Sequence, residues 1–291
     1  MNDLMMDCNT IEPVWPDGFK PCRDVSAADW IAPRLRPWGG PLGTPVASIV
    51  PEGFDSYVRI FHPASGTAWG ELLAWQVVAD WSGRTFHPLA QFSSMATPVA
   101  RVAELPPFLE PPAPGVLVPR VVESLVEVLA KRTDTPLSCH FAIWEGWGLL
   151  AGGHSRIVSI SHDDKGPDTL PVDRETLEMD IAEFQRHVAL LPRLRHLHRA
   201  YVMGRGPVDI ACRLYDQPLG SDTGLTLGLT AQLWWPDDRA WVVASEIDLD
   251  STVVATTTAT AAALIESGGL EALLVPSNGR LDLGGDDVNC P

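Results

Sequence analysis

The order of apolar and polar residues predicts short strands and a few amphipathic helices. Ser56 to His62 alternates and is bounded by Gly53 and Pro63, which is typical of a strand. The run CHFAIW, Cys139 to Trp144, indicates a buried strand. Further strands are predicted at Arg199 to Met203, Pro207 to Leu214, Ala231 to Trp235, Ala240 to Ile247 and in the run LEALLVP near the carboxyl end.

Helical spacing of apolar residues is clearest directly after residue 118. Pro119 suits a first helical turn, and Val121, Val122 and Leu125 begin a broad apolar face. The same spacing predicts helices from Thr67 to near Gly83, from Glu175 to Leu190 and from about Thr257 to Ser267. Because helices and strands alternate irregularly, we expect an α+β fold, with a Trp-rich mixed or antiparallel sheet flanked by a few helices.

Proline and glycine divide the chain. Residues 1–50 have neither a helical nor a strand period, and we expect an irregular arm that packs through Trp15, Trp30 and Trp38. Residues 51–95 form a strand-helix part, 96–118 a Pro-rich linker and 119–291 the main α+β part, although 51–291 also fits one domain. The acidic tail LGGDDVNCP is expected to fray.

Composition narrows the class of protein. The chain has 291 residues and a formal net charge of −16, which disfavours nucleic acid as a partner because the phosphate backbone is repelled. Its five cysteines form no C-x-x-C pair, no export signal precedes the first elements, and no apolar run reaches membrane-spanning length. We therefore expect a cytoplasmic protein that binds an unknown protein or small ligand.

The sharpest chemical motif is the acidic run EIDLDST, which follows the apolar residues WVVA. On a strand, Glu246, Asp248 and Asp250 would project to one face and could converge on a divalent cation. The run also resembles the D-x-D-x-T motif of haloacid-dehalogenase-type phosphotransferases, which implies Asp248 as nucleophile and Asp250 as acid/base. This chain departs from that pattern, because only 39 residues follow Thr252 and no lysine follows Lys165. A structural acidic strand end is the alternative, and no cofactor is then expected.

Cationic side chains cluster between residues 186 and 205. His196 and His198 are spaced to face one way on a strand and to join a metal site with the acidic run. Arg195, Arg199 and Arg205 suit docking of an anion or a partner. The same cations could instead balance the carboxylates of residues 237–250.

Tryptophan is the compositional outlier, with 11 residues against 8 Phe and 3 Tyr. Trp144, Trp147, Trp234 and Trp235 lie in or beside predicted strands near turns. Indole rings at such places stack on ligands or anchor partners, so these four join the predicted ligand or partner surface. Packing in the core is the alternative role.

Three segments together resemble a family of uncharacterised actinobacterial proteins. They are PEGFDSYVRIFHPA (51–64) with the later WSGRTFHP, FAIWEGWG (141–148), and LWWPDDRAWVVASEIDLDSTVV (233–254). The resemblance implies an intracellular bacterial protein and carries over no reaction, cofactor or catalytic residue.

The predicted function is a binding or regulatory module. The chain contains no G-x-S-x-G elbow, P-loop or G-x-G-x-x-G motif, and its catalytic residues, if any, are not identified by motif. Two alternatives stay open. One is a metal-dependent hydrolase or phosphotransferase that uses the EIDLD carboxylates. The other is a toxin or defence component, or its antidote, and an acidic antidote should be encoded beside a basic partner.

Overall fold

A computed structural model describes residues 15–39, 43–66, 71–99, 109–147, 150, 174–196, 199–218 and 226–289. The strands are β1 (Lys20–Pro21), β2 (Ser56–Phe61), β3 (Ala64–Gly66), β4 (Glu71–Leu73), β5 (Leu109–Glu110), β6 (Cys139–Trp144), β7 (Arg193–His196), β8 (Arg199–Gly206), β9 (Leu233–Pro236), β10 (Val242–Ala244), β11 (Ser251–Thr256) and β12 (Ala272–Leu274). The α-helices are α1 (Trp75–Ser82), α2 (Phe92–Met95), α3 (Pro119–Leu129), α4 (Arg174–Ala189), α5 (Ile210–Asp216) and α6 (Thr258–Ile265).

A nine-stranded sheet organises these elements. Its order is β1-β8-β6-β9-β10-β11-β2-β12, with β7 also paired to β8, and every described pairing is antiparallel. A second sheet has the order β4-β3-β5. The predicted α+β class is confirmed, and the predicted mixed or antiparallel sheet is antiparallel throughout the described strands. No helix in the described residues is both long and apolar enough to cross a bilayer.

Strict alternation gives the large sheet two apolar faces. In β10, Val243 belongs to one buried cluster while Val242 and Ala244 belong to another. The neighbouring Trp234 and Trp235 of β9 divide in the same way. Because side chains of a strand point alternately to its two sides, the sheet is covered by protein on both.

Helices cover one face of the sheet. In α3, Pro119 occupies the first turn and four residues at helical spacing are buried, namely Val121, Val122, Leu125 and Leu129. The side chain of Thr257 caps α6 by accepting a hydrogen bond from the Thr260 amide. Both helices contribute to the same apolar cluster as Trp234 and Val243.

The arm covers the other face. Residues 15–39 and 43–50 contain β1 and three 3-10 turns, at Ser26–Ala28, Ala32–Arg34 and Val46–Ser48. Ile31, Val46, Ile49 and Val50 are buried against the sheet. The predicted irregular arm is confirmed for these residues, and it forms a structural layer of the protein.

Two sequence predictions of secondary structure are wrong. The predicted strand from Pro207 to Leu214 contains helix α5, whose buried residues Ile210, Ala211 and Leu214 have helical spacing. Asp209 and Arg213, one helical turn apart, form an ion pair of 3.1 Å. The predicted helix from Thr67 to Gly83 starts only at Trp75, because Glu71–Leu73 pairs with β3 instead.

The predicted fraying of the tail is also wrong through residue 289. Asp286 is 2% exposed, and its carboxylate accepts hydrogen bonds from His87 Nε2 at 2.8 Å and from the Gln91 amide at 2.9 Å. Asn289 bonds the backbone of Thr85. These bonds hold the tail against residues 85–91.

The domain division stays a prediction. The first predicted part contributes β2, which lies between β11 and β12 of the main part in one sheet. Of the predicted linker, residues 109–118 are described and include β5, while 100–108 lie outside the described residues.

Candidate functional site

The acidic run forms a loop rather than a strand. The predicted strand from Ala240 to Ile247 is limited to Val242–Ala244, and the next strand begins at Ser251. The amide of Leu249 bonds the carbonyl of Glu246 at 3.0 Å and closes a turn. The three carboxylates therefore do not project from one strand face.

Arg199, the first residue of β8, holds two of these carboxylates. Its Nε and Nη2 donate to Glu246 Oε1 at 2.9 and 2.6 Å, and Nη2 also donates to Asp248 Oδ2 at 2.5 Å. The Glu246 side chain is 2% exposed, whereas that of Asp248 is 70% exposed. Burial raises the pKa of Glu246, and the bonds from Arg199 oppose that rise.

The third carboxylate points to a different arginine. Asp250 Oδ1 lies 3.4 Å from Nη2 of Arg59, which is fully buried. Arg59 also donates to Ser251 Oγ and to the carbonyls of Pro88 and Ala90, at 2.8, 3.1 and 2.8 Å. We call this group of five residues the Arg59 cluster. Burial lowers the pKa of Arg59 to about 10 and raises that of Asp250.

Tryptophan rings lie beside Arg199. Its guanidinium carbon is 5.7 Å from the centre of the Trp144 ring, and the Trp147 ring meets Trp144 edge-on at 5.8 Å. Gln232 Oε1 accepts hydrogen bonds from the Trp144 amide at 2.7 Å and from Trp147 Nε1 at 3.1 Å. Both indoles are half-buried, so each keeps some surface in contact with solvent.

Two buried polar side chains complete this region. His196, in β7, is the cross-strand partner of Arg199, and its ring meets Tyr201 edge-on at 6.2 Å. Burial lowers the pKa of His196 to about 4, so its imidazole is neutral at neutral pH. Burial, followed by the nearby charge of Glu246, raises the pKa of Tyr201.

These side chains form one continuous group at the end of the sheet, where β6, β7, β8 and the acidic loop meet. We call it the Arg199 corner, and its members are Trp144, His196, Arg199, Tyr201, Glu246 and Asp248. The sequence analysis named every member except Tyr201. The alternating pattern around Tyr201 predicts only a strand residue.

The remaining predicted site residues lie elsewhere. Trp234 and Trp235 are each 1% exposed, so neither offers a surface to a partner. Arg195 is exposed on β7, and its strand neighbours place it on the opposite side from His196. Arg205 pairs with Asp237, as expected if cations balance the carboxylates of residues 237–250. His198 lies outside the described residues.

The four predicted metal ligands that the structure describes, Glu246, Asp248, Asp250 and His196, are not assembled. Glu246 and Asp248 bond Arg199, Asp250 faces Arg59, and His196 bonds neither carboxylate. Throughout the described ranges, no three His, Cys, Asp or Glu side chains are grouped to hold an ion.

A buried hydroxyl chain lies beside the Arg59 cluster. His62 Nδ1 is 3.1 Å from the carbonyl of Ala113, so this nitrogen carries the proton and Nε2 accepts from Thr252 Oγ1 at 2.9 Å. Ser245 Oγ then donates to Thr252 Oγ1 at 2.6 Å. Burial lowers the pKa of His62 to about 4. The side-chain polar atoms of His62, Thr252 and Ser245 all have protein partners, which fits a structural role for this group.

Comparisons with known proteins add no relative. No protein-family model matches the chain, no curated protein is similar to it, and no solved structure resembles its fold. The resemblance to an actinobacterial family therefore stays an expectation, and function must be argued from the site itself.

Proposed function

We propose that the protein is a binding or regulatory module that works by contact, with the Arg199 corner as its binding site. The supporting observation is the pairing of the acidic run, in which Arg199 bonds Glu246 and Asp248 while Arg59 faces Asp250. Arg199 Nη2 donates to both Glu246 Oε1 and Asp248 Oδ2, so a guanidinium already lies between these two carboxylates, and Asp250 faces Arg59 instead. The run thus shapes a loop and a charged surface.

Other reactive side chains of the described residues support the same proposal. Burial raises the pKa of Cys139 to about 12, so its thiol stays protonated and is a poor nucleophile. His62 is neutral and bonded at both nitrogens. The two half-buried indoles of Trp144 and Trp147, by contrast, provide apolar surface that a partner can cover.

A cytoplasmic location belongs to the proposal. Cys22, Cys139 and Cys212 are free thiols, which fits a reducing compartment. The net charge of −16 supports a partner other than nucleic acid. The role of a defence component or antidote stays a prediction, and a basic protein encoded by a neighbouring gene would favour it.

Divalent cations test the proposal directly. Melting temperatures of the wild type, Asp248→Ala and Asp209→Ala are measured with Mg²⁺, Mn²⁺, Ca²⁺ or Zn²⁺. Asp209→Ala is the matched control, because Asp209 is also an exposed carboxylate paired with an arginine. We expect no stabilisation that depends on Asp248. An ion that stabilises the wild type and Asp209→Ala but not Asp248→Ala would overturn the proposal and favour the metal-dependent enzyme.

A further inference from the structure

We infer that the Arg199 corner binds a slender organic cation, namely a primary alkylammonium or alkylguanidinium group. The inference rests on the proposed function, since it takes this corner to be the binding site.

Two buried polar side chains of the corner make no hydrogen bond within the described residues. His196 is 8% exposed and Tyr201 is 2% exposed. Neither the imidazole nor the phenol makes a hydrogen bond to another described residue, although nearly all buried polar side chains in proteins are bonded. The polar atoms of both side chains nevertheless keep some contact with solvent. Such groups are positioned to bond a molecule that enters from solvent.

The corner offers mainly acceptors to such a molecule. Arg199 donates to Glu246 only at Oε1 and to Asp248 only at Oδ2, and the Asp248 amide also bonds the Glu246 carboxylate. The neutral imidazole of His196 has one accepting nitrogen, and the Tyr201 oxygen also accepts. A donor-rich group such as ammonium or guanidinium matches this set better than an acceptor-rich one.

Charge also selects a cation. Two carboxylates and one guanidinium leave a local charge of −1, within a chain of formal charge −16. An anion such as phosphate meets repulsion at both scales. A monocation completes the local balance and is drawn toward the protein from a distance.

The aromatic side of the corner already holds a guanidinium. Arg199 lies over the Trp144 ring at 5.7 Å, an arrangement in which ring and cation attract one another. Trp147 extends this aromatic surface at 5.8 Å. Because His196 and Tyr201 are 8% and 2% exposed, only a small part of each is open to a guest, which favours a narrow group.

Binding of matched small probes tests the inference. The melting temperature and calorimetric heat of the full chain are measured with n-butylguanidinium, n-butylammonium, uncharged n-butylurea and inorganic phosphate at equal ionic strength. We expect the two cations to bind, and butylurea and phosphate not to bind at the same concentration. A capped peptide of alternating Gly and Arg distinguishes the source of the group. Tighter binding per arginine than butylguanidinium indicates a basic polypeptide, and equal binding indicates a free small cation.

Four variants locate the site. Tyr201→Phe and Asp248→Asn are each expected to weaken butylguanidinium binding about tenfold, as removal of one bond to a charged group does. Tyr215→Phe and Asp209→Asn, both on or beside α5, are the controls and should bind as the wild type does.

Binding of the cations no tighter than butylurea, or unchanged binding in Tyr201→Phe and Asp248→Asn, overturns the inference. If butylurea or phosphate binds instead and these two variants weaken it, the inference fails while the proposed function stands. Only the Asp248-dependent divalent-ion result described above removes both.

Discussion

Arg59 and Arg199 bind carboxylates of the same loop, yet their surroundings differ. Arg59 is fully buried and donates to a hydroxyl, two backbone carbonyls and Asp250, with its guanidinium 4.6 Å from the centre of the Phe61 ring. Arg199 is 24% exposed and lies beside two polar side chains that make no hydrogen bond within the described chain. The first environment is satisfied internally and supports the fold, whereas the second leaves bonds for a ligand.

The largest expected effect is the loss of Arg59. Arg59→Met leaves Asp250 and the carbonyls of Pro88 and Ala90 without their buried donor. We expect the free energy of unfolding to fall by about 3–5 kcal/mol, as for other broken buried pairs. Urea denaturation followed by circular dichroism measures it. A loss below about 1 kcal/mol would show that the Arg59 cluster is not a main support of the fold.

Arg199→Met is expected to cost less. Its removal unpairs Glu246, whose side chain is 2% exposed, but Asp248 remains solvated at 70% exposure. We expect a loss of about 2 kcal/mol at neutral pH. The loss should shrink in acid, because burial already raises the pKa of Glu246 and protonation removes its unpaired charge. The same titration of unfolding free energy on Arg59→Met is the comparison, and equal losses in the two variants would erase the contrast between the regions.

The two buried histidines should affect the pH dependence of the unfolding free energy in the same way. Their replacement should lower that free energy by different amounts at pH 7. Burial lowers the pKa of His62 and of His196 from 6.5 to about 4. Between these values the unfolded chain binds protons that the folded chain excludes, so stability is complete above about pH 6.5 and is lost as the pH falls toward 4. His62→Phe and His196→Phe should each flatten this dependence in urea titrations at several pH values.

At pH 7 the two histidine variants should differ. His62→Phe breaks two hydrogen bonds and should cost about 1–3 kcal/mol, while His196→Phe breaks none within the described chain and should cost less than about 1 kcal/mol. A larger cost for His196→Phe would mean that its imidazole is part of the scaffold after all.

Tyr201→Phe is expected to have the smallest effect on stability. The phenol hydroxyl has no hydrogen-bond partner among the described residues, so its removal should change the unfolding free energy by less than about 0.5 kcal/mol. Thermal and urea unfolding beside Tyr215→Phe check this value. A clear loss of stability would show that the hydroxyl serves the fold and would weaken the case for a ligand.

Local pattern was sufficient for elements whose burial follows a single period. The run CHFAIW became β6 with the predicted bounds, and the apolar face after Pro119 became α3. Helix α5 escaped because its seven residues, from Ile210 to Asp216, are too few for helical spacing to be told from alternation.

The site was harder to predict because it depends on pairing between distant segments. Arg199 and Glu246 are separated by 47 positions and meet only through the order of strands β8, β6, β9 and β10. The burial of Arg59, the partner of Asp250, could have been predicted from the sequence. Arg59 lies on the same face of a strand as the aromatic residues Tyr57 and Phe61. Tyr201 had no signal, because a tyrosine in a strand is usually only packed.

The fold depends on residues 15–39 and 43–50 of the arm, which contain little regular secondary structure. A polypeptide that begins at Pro51 would lack Ile31, Val46, Ile49 and Val50. One apolar face of the large sheet would then be exposed to solvent. Such a fragment is expected to aggregate. Truncated versions of this protein should therefore retain the arm.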